Sequence, residues 1–174
     1  MAQDLAVDGA VVLALQQLDL NVYRVEAASL DPVGHLAPPR RTVNYNGPWE
    51  LSALCASEGR AFVTGCGGIL AVDLQDPERP EHVGVGEHCT QCLVPWYPTA
   101  LAARGGLLYL AVDPGPYRGP QSIATYRLDA LPDIAWAGRL QSDIPDSVTQ
   151  QMVVAGSRLL AASDYGLAAY SPPR

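Results

Sequence analysis

The stretch GGILAVDLQDPERPEHVGVG, Gly67 to Gly86, decides the fold. An apolar run, Ile69-Leu70-Ala71-Val72, ends at Asp73. Asp76-Pro77 then suits the first two positions of a type I turn. A second strand-like run, His82 to Gly86, follows. Short runs of Val, Leu and Ile set between Gly, Pro and Asp read as strands joined by turns. Just upstream, ALCASEGRAFVTG (Ala53 to Gly65) adds two more strands around a tight turn at Gly59. One unit is therefore four short strands.

The unit recurs. Apolar strand, Gly turn and apolar strand appear as LAVDGAVVLAL, LCASEGRAFVTG, LAARGGLLYLAV and MVVAGSRLLAA. The turn glycines Gly9, Gly59, Gly105 and Gly156 lie 50, 46 and 51 residues apart. Glycine supplies the positive φ that tight hairpins need. A third strand follows each hairpin, as NVYRV, GILAV, SIATY and GLAAY. A fourth follows the first three, as PVGHL, EHVGVG and IAWAGRL. No apolar pattern at helical spacing persists for three turns, and fifteen prolines and sixteen glycines break the chain throughout.

Four strands repeated every 46 to 51 residues predict an all-β chain of β-propeller blades. The expected blades span approximately 4–37, 51–88, 98–141 and 149–174, all four-stranded and antiparallel except an incomplete last one. In each blade the innermost strand lines the central channel, where small residues such as Ala6, Ala56 and Ala102 are expected. Asp31-Pro32, like Asp76-Pro77, is expected at a turn. Charged residues at the hairpin tips, Asp8, Glu58 and Arg104, are expected to be solvated.

Three motifs of the second unit carry a family resemblance. They are Gly59-Arg60-Ala61-Phe62-Val63, Gly68-Ile69-Leu70-Ala71-Val72-Asp73, and Asp76-Pro77-Glu78-Arg79-Pro80. The second unit resembles the LVIVD-repeat family of bacterial propellers. The first unit keeps Asp31-Pro32 but has Glu26 at the strand-end Asp position, and the third has Arg127 there. The resemblance implies a ring of about seven blades. The sequence then admits three arrangements. The chain is part of a larger propeller, it pairs with a second half-ring as a homodimer, or it is a four-bladed ring with an open seam. The first is preferred.

Composition narrows the partners. The net charge is −7, and an acidic chain repels phosphate backbones, so no nucleic acid is expected. All eleven basic residues are Arg, as in the products of GC-rich, bacterial genomes. No apolar run approaches the ~18 residues of a membrane-spanning helix. Nor does the N-terminus carry a leader pattern. The expected location is exported, periplasmic or cell-surface if a leader is missing, and otherwise cytoplasmic.

Chemistry concentrates in loops expected on one face, called the top. Cys66 lies between the second and third strands of unit two. His88, Cys89 and Cys92 lie in the crossover to unit three. Together they form a candidate set for zinc or another thiophilic metal. A lone Cys-x-x-Cys equally suits a disulfide in an oxidising compartment, or free thiols in a reducing one. Cys55 reads as a small core residue, equivalent to Leu5, Leu101 and Met152. Trp49, Trp96 and Tyr97 occupy equivalent crossovers, while Asp113 and Tyr117 belong to the long loop VDPGPYRGPQ. These five are the candidate ligand-binding residues at the channel mouth. Each Trp alternatively caps its own blade. Trp136 reads as an outer-strand residue.

No nucleophile elbow, Walker loop or calcium loop is present. The expectation is a binding or scaffold module presenting top-face loops to a protein, glycan or small ligand, without a cofactor. The alternative is a metal-dependent oxidoreductase or hydrolase built on the Cys/His set. Self-association completing the ring is a further expectation.

Overall fold

A computed structural model describes residues 3–16, 19–37, 51–65, 68–86, 97–113, 122–141 and 148–171. Four small antiparallel sheets form a four-bladed β-propeller arrangement. Blade 1 holds β1 (Asp4–Asp8), β2 (Val11–Gln16), β3 (Asp19–Glu26) and β4 (Ser29–Leu36) in sequential order. Blade 2 holds β5 (Leu51–Ser57), β6 (Arg60–Gly65), β7 (Gly68–Asp73) and β8 (Glu81–Gly86). Blade 3 holds β9 (Tyr97–Arg104), β10 (Leu107–Asp113), β11 (Ser122–Arg127) and β12 (Ala135–Gln141). Blade 4 has three strands, β13 (Thr149–Ala155), β14 (Arg158–Ser163) and β15 (Gly166–Tyr170).

The first hairpins superpose through their last pairs, Asp8↔Val11, Ser57↔Arg60, Arg104↔Leu107 and Ala155↔Arg158. This register corrects one expectation. Cys55 is equivalent to Ala6, Ala102 and Val153, not to Leu5, Leu101 and Met152. A one-residue slip moves a side chain to the opposite face of a strand. Cys55 is nonetheless a buried core residue with a free thiol.

The opening stretch folds as its turn chemistry requires. Asp73 Oδ1 accepts the amide proton of Gln75 at 2.8 Å, and Asp76 Oδ1 accepts that of Glu78 at 3.1 Å. Arg79 N donates to Asp76 O at 3.0 Å, closing the turn around Pro77. Asp31-Pro32 behaves differently. Both residues lie inside β4, paired with Arg24 and Tyr23. Glu26↔Ser29 already closes a tight hairpin there, with Ala27 at φ 48°. Proline is tolerated because β4 is an outer strand carrying a bulge.

The bulge repeats. Register shifts at Val22/Tyr23, Ala71/Val72 and Thr125/Tyr126 bend each outer strand beside Gly34, Gly84 and Gly138. Two of these glycines admit the next blade's turn. A Cβ on Gly34 would overlap the Pro77 carbonyl, and one on Gly84 would lie 2.7 Å from both Leu131 Cδ2 and Pro132 O.

Apolar cores lie between blades. Leu13, Leu15, Leu20 and Val22 of blade 1 pack with Leu54, Ala61, Val63, Leu70 and Val72 of blade 2. The opposite face of blade 2, including Ala53, Cys55, Phe62 and Ile69, packs with Leu101, Leu108, Leu110 and Tyr126 of blade 3. Blade 3 then presents Ala100, Ala102, Tyr109, Ala111 and Ile123 to Leu159 and Ala161 of blade 4. Ala6, Ala56 and Ala102, expected along the channel, pack into these cores instead. Among the described residues no such cluster joins blade 4 to blade 1.

The tip charges also link blades. Asp8 Oδ2 accepts the amide proton of Gly59 at 2.7 Å. Glu58 Oε1 accepts that of Gly105 at 3.1 Å. Arg104 Nη1 donates to the Val154 carbonyl at 3.4 Å. The solvated tip charges that the sequence predicts thus also bridge to the next blade. Among the described residues, no helix is long and apolar enough to cross a membrane.

Candidate functional site at the channel mouth

A cavity of about 580 Å³ opens where the four inner strands begin. Its walls include Gln3 and Asp4 from blade 1, Ser52 from blade 2, Thr99 from blade 3, and Gln150 and Gln151 from blade 4. These amides, hydroxyls and one carboxylate share the wall with apolar side chains, among them Leu5, Leu101, Met152, Leu160 and Leu167.

Local irregularities place those polar groups. The inner strands of blades 2, 3 and 4 each carry a register shift near their start. It falls between Leu51 and Ala53, opposite Ala111/Val112, and between Thr149 and Gln151. The residues left over are Ser52, Thr99 and Gln150, and all three line the cavity. A bulged residue leaves the alternation of its strand, so its side chain is re-aimed. Blade 1 pairs without a shift from Asp4↔Leu15 onward.

The polar groups are held in place. Ser52 Oγ donates to Thr64 O, and Thr99 Oγ1 donates to Ala111 O, each at 3.4 Å. Asp4 Oδ1 accepts the amide proton of Leu5 and Oδ2 that of Leu54, both at 2.8 Å. The Asp4 carboxylate is thereby tied to β5. Behind the wall, burial and, secondarily, the charge of Asp4 push the Cys55 thiol well above the usual thiol range. Cys55 is therefore an inert thiol, not a nucleophile.

Trp49, Trp96, Tyr117, Cys66, His88, Cys89 and Cys92 lie outside the described residues. The backbones of Tyr97 and Asp113 pair with each other at the cavity end of blade 3, two residues from Thr99. Among the described residues no group of three or more His, Cys, Asp or Glu is arranged to hold a metal. Sequence reasoning missed Ser52, Thr99 and Gln150. Each is a polar residue near the start of its inner strand, in Ser52-Ala53-Leu54, Thr99-Ala100-Leu101 and Gln150-Gln151-Met152, a pattern that does not by itself announce a bulge.

No family model matches the chain, and no curated protein sequence does. Solved structures are similar. The computationally designed Ika4 protein has a TM-score of 0.62 at 11% identity, covering 98% of this chain and 91% of Ika4. Hsv2 of Kluyveromyces lactis gives 0.59 at 14%, covering 98% of this chain and 48% of Hsv2. Apo AztD of Citrobacter koseri gives 0.58 at 12%, covering 98% and 44%. The fold is a β-propeller. At these identities the likeness extends to fold alone, and the chain spans under half of the two natural proteins. The LVIVD resemblance rests on the blade 2 motifs.

Proposed function

We propose that the protein is a binding module that receives a small, neutral, polyhydroxylated ligand, such as a glycan end, at the channel mouth. One observation carries this reading. Three inner-strand bulges turn Ser52, Thr99 and Gln150 into one cavity of about 580 Å³. That volume, which takes in the gap between Leu5 of blade 1 and Leu167 of blade 4, falls within the ~300–1,000 Å³ of small-molecule sites. Amides and hydroxyls offer both donors and acceptors, which suits ligand hydroxyls. Ser52 and Thr99 donate to backbone carbonyls, so their lone pairs are free to accept from the ligand. Trp49, Trp96, Tyr97 and Tyr117 extend the mouth in this reading as aromatic contact surface, and Asp113 as a polar one. An exported setting, periplasmic or cell-surface, accompanies the proposal and matches the disulfide-forming chemistry of Cys66, Cys89 and Cys92.

The test is calorimetric titration with a panel of neutral mono- and oligosaccharides. Binding by at least one member is expected. Gln150→Ala combined with Thr99→Val is expected to weaken it about tenfold or more, as for the loss of two polar contacts. Silence across the panel, or binding indifferent to both substitutions, overturns the reading.

A further inference from the structure

Among the described residues, blades 1 and 4 each leave one apolar face uncovered. Blade 1 turns Leu5, Val7, Val12, Tyr23 and Val25 away from blade 2. By strand register these match Leu54, Ala56, Ala61, Val72 and Leu74. In blade 2 that is the face packed on blade 1. Blade 4 turns Val153, Leu160, Ala162, Leu167 and Ala169 away from blade 3. By register these match Ala6, Leu13, Leu15, Leu20 and Val22, the face blade 1 presents to blade 2.

The two faces do not cover each other within one chain. Leu5 is 61% and Val7 64% exposed on one, Val153 57% and Leu167 70% on the other. Leu5 and Leu167 line the same cavity across the gap.

We infer that the occupant of both faces is a second copy of this chain, blade 4 of each copy packing on blade 1 of the other to close an eight-bladed ring. The contact repeats the blade 1–blade 2 core already present in the fold. It is head-to-tail, so it must close or polymerise. Two copies give eight blades, at the upper end of the typical four to eight, whereas three would exceed it. Closure covers Leu160, Ala162 and Leu167 and leaves the polar ring at the mouth of a shared channel.

Native mass spectrometry and light scattering of the 174-residue chain test this. The expected species has twice the 18.5 kDa chain mass. Leu5→Asp and Leu167→Asp sit on exposed positions of the single chain, so each is expected to keep its strand circular dichroism. Each is expected to weaken dimerisation about 100-fold or more, because an unpaired charge enters an apolar contact. An equimolar mixture of the two variants is expected to recover a 1:1 heterodimer, since one of its two junctions is unaltered. A wild-type monomer at 100 μM, roughly the top of a practical range for stable assembly, overturns the proposal. So do open-ended polymers, or a Leu167→Asp dimer as tight as wild type. None of these readouts depends on the ligand at the mouth.

Discussion

The carboxylate of Asp8, at the end of the first inner strand, accepts the amide proton of Gly59 at 2.7 Å in the next blade's turn. Together with Asp4 on Leu54 N, it pins β1 to β5 at both ends. A hydrogen bond to an ionised acceptor contributes about 1.5–3 kcal/mol when its partner is left without an alternative. Asp8→Ala is expected to lower unfolding stability by about 1–3 kcal/mol. Asp8→Asn keeps an oxygen acceptor and should cost less. Urea titrations of the two variants decide; equal stability of Asp8→Ala and wild type would remove the pin from the account.

Gly34 and Gly84 are the points where one blade's outer strand admits the next blade's turn. A methyl group has no room at either position, and its neighbours there are mostly backbone. Gly34→Ala and Gly84→Ala are each expected to destabilise by about 1–3 kcal/mol through overpacking. Thermal melts that match wild type would show that the turns yield freely.

Among the described residues, the buried hydroxyls of Thr64 and Thr125 have no hydrogen-bond partner. Each carries a desolvation cost with nothing to offset it. Replacement by the near-isosteric valine is expected to be neutral or stabilising, by up to about 1–2 kcal/mol. A loss above that size in chemical denaturation would reveal a partner for the hydroxyl.

Cys55 supplies a pH dependence. Its thiol is held protonated in the folded chain, first by burial and then by Asp4. The unfolded thiol ionises near pH ~8.5. Above that pH the unfolded state binds fewer protons than the folded one, so stability falls as pH rises, by at most about 1.4 kcal/mol per unit. Below it the contribution is intact. Cys55→Ala, the residue found at the equivalent positions 6 and 102, is expected to flatten the alkaline slope between pH 8.5 and 10.5, a window set by that ordinary thiol value. Parallel slopes for the two proteins would refute the assignment.

The channel-mouth ring shows where local reading stops. Tyr97 and Asp113 stand out in the sequence as an aromatic and a charge in loops, and their backbones pair at the mouth. Ser52, Thr99 and Gln150 look like ordinary strand residues, and only a bulge in the pairing separates them from their neighbours. A bulge is a property of two strands in register, so no property of one short segment announces it.

The sequence by itself determined the four hairpins, the extra strands, the glycine turns and the Asp76-Pro77 turn, because each depends on residues within a few positions of one another. It also determined that Cys55 is core, since a small apolar residue in an inner strand has few other uses. Only the tertiary structure decided which face of each blade is covered. Leu5 and Leu54 are equivalent leucines on equivalent strands, yet Leu5 is 61% exposed and Leu54 5%. The difference lies in the preceding blade: blade 1 packs on the face of blade 2 that carries Leu54, and among the described residues no blade packs on the face of blade 1 that carries Leu5. Burial belongs to neighbours in space, and a repeat unit does not record what packs beside it.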